Sequence, residues 1–241
     1  MPILPESFEY TIFLTLTIIL LCVKVILAVY LFIEILERKR REGGKLKIDF
    51  VFSIFIFMVC LTISRLIYMI FDFHLTYFDP DTYFLPPNYI FWKIAIAISI
   101  IGFAFIIYII DKKALHFKFK GILSYFPIAI AIIICLWPIN TPSDFNFISL
   151  LGIISIASGL LLIVLFIYIA ITIQPLRKTS LIITFGFMVY AFGAVLINEF
   201  VLEPSRAIFG PQIHILTYFI YLILKILGLV LISYSIKKFI V

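Results

Sequence analysis

The stretch NYIFWKIAIAISIIGFAFIIYIID, residues 88–111, decides the fold. From Ile94 to Ile110 it carries no charge at all. Wound as a helix at ~1.5 Å per residue, the whole stretch exceeds the ~30 Å of a bilayer's hydrocarbon core. Outward in both directions the pattern repeats, giving runs over about 10–36, 48–72, 120–137, 146–173, 181–202 and 213–238. Each gap holds a stop signal: Glu37 to Lys47 with Gly43 and Gly44, then Pro80, Pro86 and Pro87, the charged turn from Asp111 to Lys120, Pro138 to Pro142, Pro175, and Pro204 to Pro211. The fourth run is the shortest and has Pro127 close to its start.

Composition agrees with the runs. The 241 residues are 64% hydrophobic and 13% charged, with a mean hydropathy of +1.23, against roughly half apolar and about a quarter charged in soluble domains. A soluble globular protein is excluded. The expected fold class is an all-α integral membrane protein, a single seven-transmembrane helix bundle over residues 1–241. Cys22, Cys60 and Cys135 fall inside apolar runs and read as small buried hydrophobes. The first ten residues hold Glu6 and Glu9 and no basic residue, unlike a signal peptide, so the first run is expected to remain as a helix.

The basic residues set the orientation. Arg38, Lys39, Arg40, Arg41, Lys45 and Lys47 lie between runs one and two, and Lys112, Lys113, Lys118 and Lys120 between three and four. Arg177 and Lys178 lie between five and six, and Lys237 and Lys238 follow the seventh. On a seven-crossing path all of these share one side, with Arg206 alone opposite. The positive-inside rule therefore places the N-terminus outside and the C-terminus in the cytoplasm of a multi-pass cell-membrane protein. Tyr77, Tyr83, Tyr89, Trp92 and Trp137 near the outer ends fit an aromatic belt. The net charge of +6 is spent in these loops, and no nucleic-acid partner is implied.

No connection exceeds about 16 residues, so any site lies in the bundle or on its rims. Nucleophile elbows, zinc-binding His-Glu-x-x-His, phosphate loops, paired intramembrane carboxylates and Cys-x-x-Cys pairs are absent from the sequence. His74, His116 and His214 stand at run ends without ligand spacing. No enzyme, metal or cofactor is expected.

The informative residues are the bases inside the runs, Lys24, Arg65, Lys93 and Lys225, because an intramembrane charge costs ~2.5–3.5 kcal/mol on insertion scales and normally faces a bundle interior or cavity. Arg65 and Lys93 fall at a common outer depth, together with Asn198, Glu199 and Tyr218. These five are expected to form an outward-facing polar pocket in which Arg65 and Lys93 hold an anionic group against Glu199. The competing expectation is that Lys93 snorkels to the headgroups and Arg65 pairs with Asp72 or Glu199. Lys24 and Lys225 lie near the middles of the first and last runs, neighbours in a sequential ring. Lacking a carboxylate at their depth, they must be neutral, hold an anion or reach water. Tyr221, one turn before Lys225, is the expected hydrogen-bond partner. Ala95 and Ser99, and Ser155 and Gly159, are small residues at spacing four and read as helix-packing positions.

Lys225 is similar in place to the retinal-binding lysine of microbial rhodopsins. Tyr221 stands where those proteins carry an aspartate, however, and Lys93 where they carry a carboxylate counter-ion, so a retinal protein is not expected. Phe91-Trp92-Lys93-Ile94-Ala95, then Gly102 and the exit Asp111-Lys112-Lys113, resembles small prokaryotic seven-helix membrane proteins related in layout to the sensor portions of membrane histidine kinases. That resemblance covers one helix and the topology. It implies a receptor-like or sensor-like signalling protein that binds a small or lipidic ligand from outside or within the membrane, with a cytoplasmic partner at Arg38, Lys39, Arg40 and Arg41. The Ile- and Phe-rich composition fits an AT-rich prokaryotic genome, an archaeal one included. Alternatives are a small transporter or oligomeric anion channel lined by Lys24 and Lys225, or a structural subunit of a membrane complex.

Overall fold

A computed structural model describes residues 7–41, 48–197, 199–210 and 213–236, without the side chains of 153–157, Glu199, Phe200, Glu203 and Arg206. The helices are α1 (Phe8–Arg41), α2 (Phe50–Ile70), α3 (Asn88–Lys113), α4 (Ile122–Leu136), α5 (Pro142–Thr172), α6 (Arg177–Leu196), α7 (Glu199–Phe209) and α8 (Ile213–Ile236). No strand occurs among the described residues. Five helices are long and apolar enough to cross a membrane: α1, α2 with the turn that extends it to Leu75, α3, α6 with the turn before it, and α8.

Local chemistry sets the ends. α1 continues past its apolar stretch to Arg41 because Arg38 and Arg41 pair with Glu34 and Glu37 one turn back, and four basic residues complement the dipole of its last turn. Asp49 caps α2 by accepting from the Phe52 N–H at 2.9 Å. α2 ends in a π turn, Phe71–Leu75, closed by the Thr76 N–H and hydroxyl donating to the Phe71 carbonyl. At α5, Thr141 and Asp144 form a reciprocal capping box.

The largest departure from the expected runs is at the sixth. The helix expected over 181–202 stops at Leu196, and a separate amphipathic helix, α7, starts at Glu199. Glu199, Glu203, Ser205 and Arg206 are too polar for a continuous span, so the chain breaks before them.

The helices pack in chain order around a ring, α1 beside α2, α2 beside α3, α3 beside α4 and α5, α5 beside α6 and α6 beside α8, and α8 closes it against α1. Ring contacts show which ends coincide. Phe13 of α1 meets Phe78 and His214, and Tyr83 and Trp92 meet Phe145 at the start of α5. At the opposite end Arg38 of α1 binds Asp49, and Lys118 donates to the Tyr168 hydroxyl of α5 at 3.2 Å. The basic connections thus gather at one end and the aromatic, acidic ones at the other.

The bundle packs an apolar interior around Ile54, Phe57, Met58 and Phe166 that also holds polar groups, and its outside is apolar as well. Lys24, Glu34, Ser53, Asp111 and Ser124 are buried, while Ile26, Phe32, Leu136, Val164, Ile171 and Phe192 project outward. Water would penalise that outer surface, and lipid does not. The protein is a multi-pass, membrane-embedded helical bundle.

Candidate functional site, a cationic cavity inside the bundle

Where α1, α2, α3, α5, α6 and α8 converge they leave a cavity of about 380 Å³. Its lining follows helical spacing: Leu61, Arg65 and Tyr68 on α2 with Asp72 on the π turn that extends it, Ile96, Ser99 and Phe103 on α3, Gly152 and Gly159 on α5, and Phe187, Tyr190 and Ala194 on α6 with Ile197 capping it. Residues three or four apart share a helix face, so one face of each helix forms the wall. α1 supplies Lys24, and α8 supplies Tyr221 and Lys225, one turn apart.

Among the described residues three cations and one carboxylate therefore border one space. Arg65 donates to the Tyr218 hydroxyl at 2.7 Å, to the Thr17 hydroxyl at 2.8 Å and to Asp72 at 3.5 Å, tying α2 to α8 and α1. The Thr17 and Tyr218 hydroxyls are themselves 2.8 Å apart. Arg65 Nε has no hydrogen-bond partner among the described residues. Lys24 Nζ donates to the Leu61 carbonyl at 3.0 Å. Lys225 Nζ lies 4.8 Å from the ring centroids of both Tyr190 and Tyr221, between two negative π faces. Tyr221 thus meets Lys225 through its ring.

Of the five residues expected in an outer pocket, the side chains of three are described, and Lys93 stands apart from the other two. Arg65 and Tyr218 are hydrogen-bonded, and Arg65 faces the deeper cavity that Lys24 and Lys225 also line. Lys93 points away from it. Its ammonium donates to the Cys135 and Trp137 carbonyls at the end of α4 and lies 5.3 Å from the centre of the Tyr89 ring. Carbonyls left over at a helix terminus are strong acceptors, and they take this lysine out of the expected pocket. Asn198 lies outside the described residues, as does the side chain of Glu199, which begins α7. Asp72, expected only as a pairing partner, is a wall of the cavity, together with Tyr68 and Tyr190.

The small residues also divide differently. Gly228 of α8 packs on α6 so closely that a Cβ there would lie 2.7 Å from the Gly186 carbonyl and 2.8 Å from the Tyr190 nitrogen. Gly159, expected as a packing position, borders the cavity, and a Cβ there would meet no heavy atom of the described residues within 4 Å. The tightest small-residue contact therefore pairs residues far apart in sequence, which no spacing within one helix reveals. Ser99 of the other expected pair also lines the cavity.

At the basic end, Asp111 is fully buried and accepts from the Phe119 N–H at 3.0 Å and the Gly121 N–H at 2.7 Å. It folds the α3–α4 turn, in which Gly121 adopts φ +78. Outside the helical spans, hydrogen bonds from the Thr141 hydroxyl and the Asn140 and Thr141 N–H groups hold the Asp144 carboxyl below its ordinary 3.8.

Compared with known proteins, the chain matches no family model, no curated protein and no solved structure.

Proposed function

We propose that this protein is a receptor-like, sensor-like membrane protein that binds a small or lipidic anion inside its helical bundle. It crosses the cell membrane seven times, through α1 to α6 and α8, with its N-terminus outside and its C-terminus in the cytoplasm. The observation that carries the binding reading is the cavity in which Lys24, Arg65 and Lys225 face, among the described side chains, Asp72 as the one carboxylate. In a low-dielectric interior such an imbalance is stabilised by an anion bound between the cations. The basic residues gathered at one end of the bundle support the orientation, and on this reading Arg38, Lys39, Arg40 and Arg41 face a cytoplasmic signalling partner.

Native mass spectrometry of the gently solubilised protein tests the binding reading. A monomer carrying an acidic small molecule that is lost in Lys24→Met and Lys225→Met supports it. A ligand-free symmetric oligomer with anion flux in liposomes, abolished by the same two substitutions, replaces it with a channel. For orientation, cysteine is placed at Asp79 or Lys118 after the native cysteines are replaced. A membrane-impermeant maleimide should reach position 79 in intact cells and position 118 only after permeabilisation, and the reverse pattern overturns the topology.

A further inference from the structure

The two sides of the cavity differ in chemistry. Among the described residues the charged groups come from α1, α2 with its π turn, and α8, as Lys24, Arg65, Asp72 and Lys225. The facing wall, from α3, α5 and α6, presents mostly carbon, Ile96, Phe103, Gly159, Phe187 and Ala194, with the Tyr190 ring turned to Lys225. Ser99 on that wall already gives its hydroxyl proton to the Ile96 carbonyl at 2.8 Å. A small hydrated anion held by the cations would turn its far side toward carbon atoms and lose hydration there without replacement. A ligand that suits both walls carries an acidic group at one end and hydrocarbon at the other.

Size narrows the class. A volume of about 380 Å³ is near the lower end of the ~300–1,000 Å³ typical of small-molecule pockets, so one hydrocarbon chain is accommodated and a two-chain phospholipid is not. Beside Gly159 an added Cβ meets nothing among the described residues within 4 Å. At Gly152, two turns away, a Cβ would lie 2.8 Å from Ile96 Cδ1.

We infer that the ligand is a single-chain acidic amphiphile, its carboxylate or phosphate head between Lys24, Arg65 and Lys225 and its hydrocarbon tail against α3, α5 and α6 beside Gly159. This rests on the anion-binding reading given above and adds the tail to it. The head is drawn by charge-assisted hydrogen bonds, and the tail by burial of apolar surface between rings and small residues.

The test measures radiolabelled dodecanoate retained by the full chain in neutral-lipid nanodiscs, above that retained by empty discs. Saturable retention is expected, weakened about tenfold or more by Lys225→Met, which removes a charged partner, and by Gly159→Leu, which fills the open side. Gly159→Ala should give an intermediate loss, and unchanged melting of each variant shows that the fold is intact. Stronger displacement by dodecyl phosphate than by unlabelled dodecanoate assigns a phosphate head, and weaker displacement a carboxylate. If acetate or inorganic phosphate displaces the label as well as dodecanoate does, and Gly159→Leu changes nothing, the tail is refuted while the anion site stands. If dodecanol displaces it equally and Lys24→Met and Lys225→Met have no effect, the anion site falls as well. Absence of saturable retention refutes the amphiphile, and stabilisation of melting by inorganic phosphate that Lys225→Met abolishes would then show the anion site surviving alone.

Discussion

Replacing Arg65 by methionine separates its structural role from ligand binding. The substitution removes donors to Thr17, Tyr218 and Asp72, at 2.8, 2.7 and 3.5 Å. The two hydroxyls keep each other as partners at 2.8 Å, so their loss is limited to the ~0.6 kcal/mol average, ~1.7 at most, of an intramembrane hydrogen bond. Asp72 loses its cation in a bundle where its side chain is only 16% exposed. Breaking a buried pair from one side costs about 3–5 kcal/mol in soluble proteins. Partial exposure and the 3.5 Å separation place the total for Arg65→Met near ~3 kcal/mol, most of it from the stranded carboxylate. Asp72→Asn should therefore rescue part of that loss, with a coupling of at least ~1 kcal/mol in a double-mutant cycle of unfolding in bicelles. Additive costs within ~0.5 kcal/mol would refute the pair as a structural unit. It follows that Arg65→Ala perturbs folding as well as any binding, and that the binding test belongs on Lys24 and Lys225.

Gly228→Ala forces a Cβ to within 2.7–2.8 Å of backbone atoms of Gly186 and Tyr190, so α6 and α8 must separate at a cost of about 1–3 kcal/mol, read as a lower melting temperature; unchanged melting would mean that the two helices do not meet so closely. Asp111→Ala strips the Phe119 and Gly121 N–H groups of their acceptor, at about 1–3 kcal/mol, and faster tryptic cleavage between Lys113 and Lys120 is the check. Because the Asp144 carboxyl is held below its ordinary 3.8, the α5 cap is fully stabilising above that value and is lost as pH falls through the lower folded one. Asp144→Asn should accordingly flatten the acid limb of the stability profile, and an unaltered limb would count against the cap. Lys93→Met should leave retention of a cavity ligand unchanged, since its ammonium sits on the α4 carbonyls.

Most of the fold was legible because the decisive signal is long and one-dimensional. Residues 88–111 had to form a helix, and α3 runs from Asn88 to Lys113. The break before α7 was not legible: an apolar window running from Leu181 to Leu202 hides how polar Asn198 and Glu199 make its end. In the candidate site, the intramembrane position of Lys24, Arg65 and Lys225 could be read from hydropathy, and Tyr221 from its spacing. Direction could not. Depth alone put Lys93 beside Arg65, but the side chain turned to the end of α4, because helix rotation is fixed by packing against neighbours that the sequence does not pair. The same limit hid the role of Gly159, whose open side is a property of facing helices.

The bundle contains its own control for the anion argument. At the basic end Arg38 and Arg41 meet Glu34, Glu37 and Asp49 within 3.1–3.8 Å, so these two cations are matched by carboxylates and α1 is fastened to the start of α2. In the centre Lys24, Arg65 and Lys225 have Asp72 as their one carboxylate among the described side chains, and they surround a hollow instead of closing on one another. Filling the hollow with side chains and dropping two of the charges would stabilise the fold, because unbalanced intramembrane cations cost several kcal/mol and empty space forfeits packing. A cationic hollow kept where a neutral packed core would be more stable is best accounted for by a bound anion. The triple variant Lys24→Met, Lys225→Met, Gly159→Leu should therefore melt higher than the unliganded wild type while losing dodecanoate. A lower melting temperature in that variant would show that the charges serve the fold itself.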